Sequence, residues 1–348
     1  MNAVALARDI ARPVMSPPYL IFLGDAPDIG WAKTGAGLAY WRREECLGQF
    51  RAGTATVDLG LPDLDPAAAV AAGARTLVIG MANDGGYIDD AWVPGIVDAL
   101  TAGLDVAAGL HQRLGDHPQI AAAAARAGRR LFDVRHPDRD FMPGTGEKRS
   151  GLRLLTVGVD CAVGKKFTAL AIERELRARG VAADFCATGQ TGIMIAGRGI
   201  AIDSVVADFI SGAAEWLSPV AAVDHWHVIE GQGSLLHPAY AGVTLGLVHG
   251  SQPDALVICH EAGRTRLQGY ERYSCASLRH ALDVHLEAAR LTNREARGIG
   301  VSLNTSSYAE PKARALLAEA TEETGLPACD PVRFGVGPIV DAMLATWH

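Results

Sequence analysis

Short apolar runs, broken by turn residues and separated by Ala-rich stretches, recur along the chain in two series. In the first, Tyr19–Gly24, Thr54–Leu59, Thr76–Met81, Leu104–Gly109 and Arg130–Val134 read as strands, with helices at Pro66–Gly73 and Gln119–Gly128. The runs are continuous rather than alternating, as in a parallel sheet covered on both faces. This predicts a Rossmann-like N-terminal domain. The interval His136–Ser150, with two prolines, two glycines and many charges, breaks the pattern. It then restarts with strands at Leu152–Val157, Ala182–Ala187, His225–Ile229, Ala255–Cys259 and Gly298–Leu303. Helices are expected at Lys165–Arg179, near Ser204–Trp216, near Leu278–Leu291 and at Pro311–Thr324. The expected layout is α/β throughout: residues 1–136, a linker at 137–150, and a doubly wound parallel sheet over 151–348.

Composition narrows the function class. Apolar residues make up 49% and charged ones 20%, as in a water-soluble globular protein. The formal net charge of -7 argues against a general nucleic-acid binder, which needs clustered Lys and Arg to displace counterions. It leaves room for a local positive pocket. Six scattered cysteines without a CxxC pair suit reduced thiols in the cytoplasm rather than a disulfide framework. Met1–Pro18 lacks the apolar run and cleavage site of a signal peptide, and no stretch reaches the ~20 apolar residues of a membrane span, so no membrane partner is expected. Ala- and Gly-rich α/β enzymes are often dimers or larger, which sets a homo-oligomer as the base expectation.

The strongest chemical signal is TVGVDCAVGKKFT, Thr156–Thr168. A strand ends in Gly158, a tight turn follows, and Gly164-Lys165 opens a helix. Amides of such a turn, the helix N-terminus and the lysine together form an anion site, the logic of a P-loop NTPase-like domain. Gly158, Val159, Cys161, Ala162, Val163, Gly164, Lys165 and Lys166 are therefore candidate phosphate-binding residues. Five residues, not the usual four, separate Gly158 from Gly164, and Lys166 stands where Ser or Thr would ligate Mg²⁺.

A second signal is HWHVIEGQGSLLHP, in which a strand delivers Glu230 to its carboxyl end. A third, CHEAGRTRLQGY, sends His260, Glu261, Arg264 and Arg266 off another strand. Arginines there could take carboxylates bidentately. After the first strand come Asp25, Asp28 and Lys33, where Rossmann-type domains bind ligands. No GxGxxG stands there, since Gly35 and Gly37 fall inside the next helix, and Asn83–Tyr87 reads as a plain turn. The remaining histidines make no HxxxH or HExxH pattern, so no dedicated metal site is expected.

The GVDCAVGKK turn with VIEGQGSLLHP resembles the dethiobiotin-synthetase-like branch of P-loop proteins. More closely, the chain resembles a two-domain bacterial family, the D-glutamate N-acetyltransferases. The features that carry this are Gly24–Lys33, DCAVGK at Asp160–Lys165, Ala187–Asp203, EGQGSLLHPAY at Glu230–Tyr240 and His260–Arg264. The resemblance implies transfer of acetyl from acetyl-CoA to the amino group of D-glutamate, a step in D-glutamate catabolism. Coenzyme A carries a pyrophosphate that a phosphate-cradling turn can hold without hydrolysing a nucleotide. Such transfer needs a proton acceptor, for which Asp160, Glu230 and His260 are the candidates. It also needs partners for two substrate carboxylates, for which Arg264 and, more weakly, Lys33 are the candidates. The competing expectation is an ATP- and Mg-dependent ligase or kinase of the dethiobiotin-synthetase type; a non-catalytic nucleotide sensor is a third.

Overall fold

The computed structural model describes residues 15–51, 56–83 and 85–347. They form two units, the first comprising the chain up to Asp138 plus Gly189–Ala201, the second Arg139–Thr188 plus the chain from Ile202 onward.

The first unit runs β1 (Tyr19–Gly24), α1 (Lys33–Trp41), β2 (Cys46–Arg51), α2 (Pro66–Ala71), β3 (Thr76–Ile79), α3 (Val93–Ala102), β4 (Asp105–Ala108), α4 (Pro118–Ala127) and β5 (Leu131–Asp133). Its parallel sheet has the order β2-β1-β3-β4-β5. Leu20, Ile21, Phe22 and Leu23 of β1 are buried, as expected of a central strand. The helices start and stop on local chemistry. Asp65 caps α2 by accepting from the Ala68 amide, prolines open α2 and α4, and left-handed Gly103 and Gly128 end α3 and α4. Gly35 lets α1 lie against β1, because a Cβ there would meet Ile21 Cγ2 at 2.8 Å. Its role is packing.

One expected strand is displaced. Of Thr54–Leu59, residues 54 and 55 lie outside the described residues, and 56–59 is irregular. The edge strand is instead β2, and the Gln49 side chain holds the irregular run by accepting from Leu59 N and donating to Asp58. Val57 is buried without joining a ladder, so an apolar run here meant burial rather than pairing. Of the expected turn Asn83–Tyr87, Asp84 lies outside the described residues, while Gly85 and Gly86 take positive φ as turn residues do.

The second unit continues with β6 (Leu152–Gly158), α5 (Lys165–Ala178) and β7 (Ala183–Cys186). After Thr188 the chain forms α6 (Gln190–Ala196), which clusters with the first unit. There the Thr34 and Thr191 hydroxyls meet at 3.1 Å, and Arg42 donates to Ile195 O. The excursion closes where Ile202 N donates to Thr188 O at 2.9 Å. The second unit resumes with α7 (Ile210–Leu217), β8 (Trp226–Ile229), α8 (Ala241–Ser251), β9 (Ala255–Glu261), β10 (Arg266–Leu267), β11 (Tyr270–Ser274), α9 (Leu278–Arg290), β12 (Arg297–Asn304), α10 (Glu310–Thr324), β13 (Ala328–Cys329) and α11 (Gly337–Trp347). The helix expected near Ser204–Trp216 is shorter, being two 3₁₀ turns followed by α7.

The main sheet has the order β13-β12-β9-β6-β8-β7, all parallel, with β10-β11 as a separate antiparallel hairpin. Strand β6 is flanked by β9 and β8, so the turns after these three strands emerge side by side. This is the switch point at which open α/β sheets bind ligands. Behind it, the buried Arg153 of β6 donates to the carbonyls of Arg149, Ser150, Gly151, Ser218 and Pro219. Burial, aided by Arg149, pushes its pKa down to about 10. A charge kept in the interior is tolerable because each donor finds a carbonyl.

No helix among the described residues is long and apolar enough to cross a membrane.

Candidate active site

The turn from Gly158 to Lys165 is shaped by backbone conformations that few residues accept. Gly164 has φ of 97° and Ala162 a left-handed φ of 52°, uncommon for a residue with a Cβ. A Cβ on Gly158 would come within 2.8 Å of Asp160 O and 2.9 Å of Lys165 Nζ. Helix α5 opens at Gly164 without a side-chain cap. Val159 and Val163 are buried and pin the loop, with Val159 N donating to Cys259 O and Val159 O accepting from Ser234 Oγ.

Lys165 is buried and its Nζ donates to Asp160 O at 2.8 Å, lying back on its own loop. Burial lowers its pKa, opposed by the charge of neighbouring Cys161, Cys259, Asp160 and Glu230. Lys166 sits in the first turn of α5, partly exposed, with its Nζ 5.3 Å from the Phe167 ring centroid. Thr168 does not stand in for the missing hydroxyl, because its Oγ1 bonds Gly164 O at 3.0 Å and Ser302 Oγ at 2.8 Å.

Asp160 is fully buried and its carboxylate is held from three sides. Oδ1 accepts from Cys161 N at 2.6 Å, and Oδ2 from Arg264 Nη1 at 2.9 Å and Gln268 N at 2.8 Å. Arg264 also donates to Cys161 O and pairs with Glu261. The β10–β11 hairpin is thereby fastened over the P-loop by one carboxylate and one guanidinium. The Cys161 thiol is pushed up in pKa by burial despite the nearby Lys165.

Glu230 directly follows β8, buried, with Oε2 accepting from Thr188 N at 3.0 Å. The next residue, Gly231, donates its N–H to Thr156 Oγ1 at 2.9 Å, bringing the β8 and β6 ends together. Gln232 Nε2 reaches Thr188 Oγ1 at 3.1 Å. His260, at the end of β9, has a pKa lowered by burial and then by the charge of Arg264, opposed by a hydrogen bond to the Arg264 backbone and by the Asp160 and Glu261 charges. Its Nδ1 is buried without a hydrogen-bond partner among the described residues. A neutral imidazole with an open nitrogen can accept a proton.

The structure thus gathers Gly158–Lys166, Glu230, His260 and Arg264 onto three adjacent strand ends. Lys33 lies apart in sequence and belongs to the first unit, exposed at the start of α1. Sequence reasoning passed over Thr188, Ser234, Gln268 and His237. One ring nitrogen of His237, the Cys161 sulfur and an Asp160 carboxylate oxygen lie within 4.8 Å of one another. His237 Nδ1 accepts from Ala239 N at 3.2 Å, so Nε2 carries the ring proton. That tautomer presents a donor rather than a metal-ligating lone pair. Position seven residues beyond Glu230, within the same glycine-containing run, was the available sign.

Comparison with known proteins agrees with this construction. The family model DUF1611, described as a domain of unknown function (DUF1611_C) P-loop domain, matches residues 140–340. Its companion DUF1611_N, described as a Rossmann-like domain, matches residues 48–137. A protein of Tritonibacter scottomollicae named D-glutamate N-acetyltransferase is 48% identical over 95% of this chain and 100% of its own length. One of the same name from Pseudoalteromonas sp is 46% identical over 94% of this chain and 98% of its own. The crystal structure of a DUF1611 family protein from Anabaena variabilis superposes with a TM-score of 0.86, at 32% identity, covering 95% of this chain and all of that one. With its Rossmann-like unit, its P-loop unit and relatives matched end to end, the chain belongs to the D-glutamate N-acetyltransferase family.

Proposed function

We propose that this protein transfers the acetyl group of acetyl-CoA to the amino group of D-glutamate, as a cytoplasmic step in D-amino acid catabolism. The names of the two relatives support the substrate. The observation that carries the choice of donor is the loop itself: an anion cradle with Lys166 at the magnesium-ligating position and Thr168 committed elsewhere. A cradle of that kind suits the phosphates of coenzyme A better than Mg-ATP. Six free cysteines suit a reducing compartment.

In this reading Gly158–Lys165 and Lys166 hold the coenzyme phosphates. Asp160 and Arg264 keep the loop and hairpin in register, and Arg264 stands nearest to the role of meeting a substrate carboxylate. Lys33 is the weaker candidate for the other. His260 is the preferred proton acceptor, because its lowered pKa keeps it neutral near pH 7 and its Nδ1 is uncommitted. Glu230 is the alternative. The Asp160 carboxylate, already accepting three hydrogen bonds, has less capacity for the task.

Thiol release from acetyl-CoA, followed with D- and L-glutamate and a panel of other amino acids, tests the reading. Silence with every amine, alongside stabilisation by Mg-ATP and not by acetyl-CoA, would return the ATP-dependent alternative. His260→Ala is expected to lower kcat by about 10²–10⁴-fold, the usual contribution of a positioned acid–base group. Full turnover in that variant would move the role to Glu230. Lys165→Ala is expected to weaken coenzyme A binding by about 10- to 100-fold, corresponding to the ~1.5–3 kcal/mol of a charged hydrogen bond. Calorimetric titration reads it directly.

A further inference from the structure

His237 is buried, 1% exposed, yet its Nε2 has no hydrogen-bond partner among the described residues. The proton is on that nitrogen, because Nδ1 accepts from the Ala239 amide. The ring has little freedom to turn away. Tyr240 stacks on it with centroids 4.7 Å apart, and Tyr270 of the hairpin packs edge-on at 4.8 Å. The nearest charged acceptor, Asp160 Oδ1, is 4.0 Å from Nε2, beyond hydrogen-bond reach, and already accepts from Cys161 N. A buried donor left unmade is costly, and such a group in a native structure calls for a partner such as an ordered water, an ion or a ligand.

We propose that His237 Nε2–H is the hydrogen-bond donor to the acetyl carbonyl oxygen during transfer. This rests on the acetyl-transfer reading above. The Asp160 carboxylate 4.0 Å away is itself met by Arg264 and two amides, which offsets its charge against an oxyanion forming at this donor, and a coenzyme phosphate at the same nitrogen is the competing outcome that the experiment reads. A thioester carbonyl arrives neutral and gathers charge only as the reaction proceeds. In the step, the amine lone pair forms a C–N bond to the carbonyl carbon and the carbonyl π pair moves onto oxygen, where His237 Nε2–H receives it. The pair returns, the C–S bond breaks, and the coenzyme leaves as thiolate. The proton lost by the amine passes through the proton acceptor to that sulfur.

His237→Phe keeps a ring between the two tyrosines and removes the donor, while His237→Gln restores an N–H at similar reach. For the Phe variant, kcat is expected to fall about 100- to 1000-fold, as when one oxyanion donor is removed, with the Kd for coenzyme A changed less than about twofold. The Gln variant should recover at least about tenfold of the loss. A kcat near wild type overturns the proposal, as does an unchanged kcat with a weakened Kd, which would make His237 a phosphate ligand. A measurement on the wild-type protein covers the case of misfolded variants. With ¹⁵N-histidine labelling, a coenzyme A analogue bearing a methyl ketone in place of the thioester should move the His237 Nε2–H resonance, and coenzyme A itself should not. Equal shifts with both overturn the proposal. If the wild-type enzyme releases no thiol with any amine, acetyl transfer itself fails and this inference falls with it; if it does turn over, a failure of the inference appears in the variants and the resonance alone.

Discussion

Gly231→Ala is expected to reduce acetyl transfer by about 100-fold or more and to destabilise the P-loop unit. The reason is local and geometric. A Cβ at this position would overlap the carbonyl oxygen of Thr156 and come within 3.1 Å of Lys165 Cδ. The first neighbour is strand backbone, which cannot rotate aside as a flexible side chain can. To make room, the end of β8 must move from β6, breaking the Gly231 N to Thr156 Oγ1 bond and shifting Glu230 and Lys165 together. Displacement of catalytic groups by about 1 Å commonly costs 10²-fold in rate, and overpacking costs about 1–3 kcal/mol or more. Kinetics of thiol release together with a urea melt would check both. A variant with wild-type rate would mean that the two strand ends do not need this close approach. Gly233→Ala is the natural companion, because Gly233 has φ of 63° and its Cβ would sit 2.6 Å from Tyr240 O.

The second large effect is a loss of stability in acid. His227 and His285 are both buried, and burial is the first cause that lowers each pKa to about 4. For His227, the charges of His225 and Arg153 add to it. Neutral His285 is suited to its surroundings: Nδ1 lies 2.7 Å from Ala281 O, and Nε2 faces the Leu235 amide. Protonation would turn Nε2 into a second donor against an N–H. The unfolded chain binds these protons near pH 6.5, whereas the folded chain resists them until about pH 4. Stability contributed by the neutral forms is therefore complete above pH 6.5 and is lost as pH falls toward 4. At pH 4.5 the loss is about 2–3 kcal/mol for each histidine. Urea unfolding at pH 7.5 and 4.5 measures it. His285→Gln should remove about half of the histidine share from the difference between the two pH values, whatever it does to stability at neutral pH. An unchanged acid dependence in that variant would show that His285 titrates normally in the folded state.

The sequence was most legible where local chemistry and burial point the same way. Strands β1, β3, β4, β6, β8, β9 and β12 are predominantly apolar runs closed by turn residues, because a strand covered on both faces admits a polar side chain such as Arg153 only where the interior supplies it with partners. The P-loop was readable for a related reason: an anion site made of backbone needs glycine at the tight turn and a lysine at the helix start, and both are visible as letters. Elements whose apolar content served a different purpose misled. Residues 56–59 are irregular although Val57 is buried, and β2, with Gly48 and Gln49 in its middle, carried no apolar signature.

What the amino-acid order determined by itself is the pair of α/β domains and the position of the P-loop turn, since these depend on periodicity and on residues adjacent in the chain. The tertiary structure alone decided which distant groups share the site. That Arg264 and Gln268 hold Asp160 and that Glu230 takes the Thr188 amide follow from strand order, while the unpartnered buried donor of His237 and the clustering of Gly189–Ala201 with the first unit come from tertiary packing. A sheet ordered β9-β6-β8 brings together turns about seventy to a hundred residues apart, and no local preference of the chain records that juxtaposition.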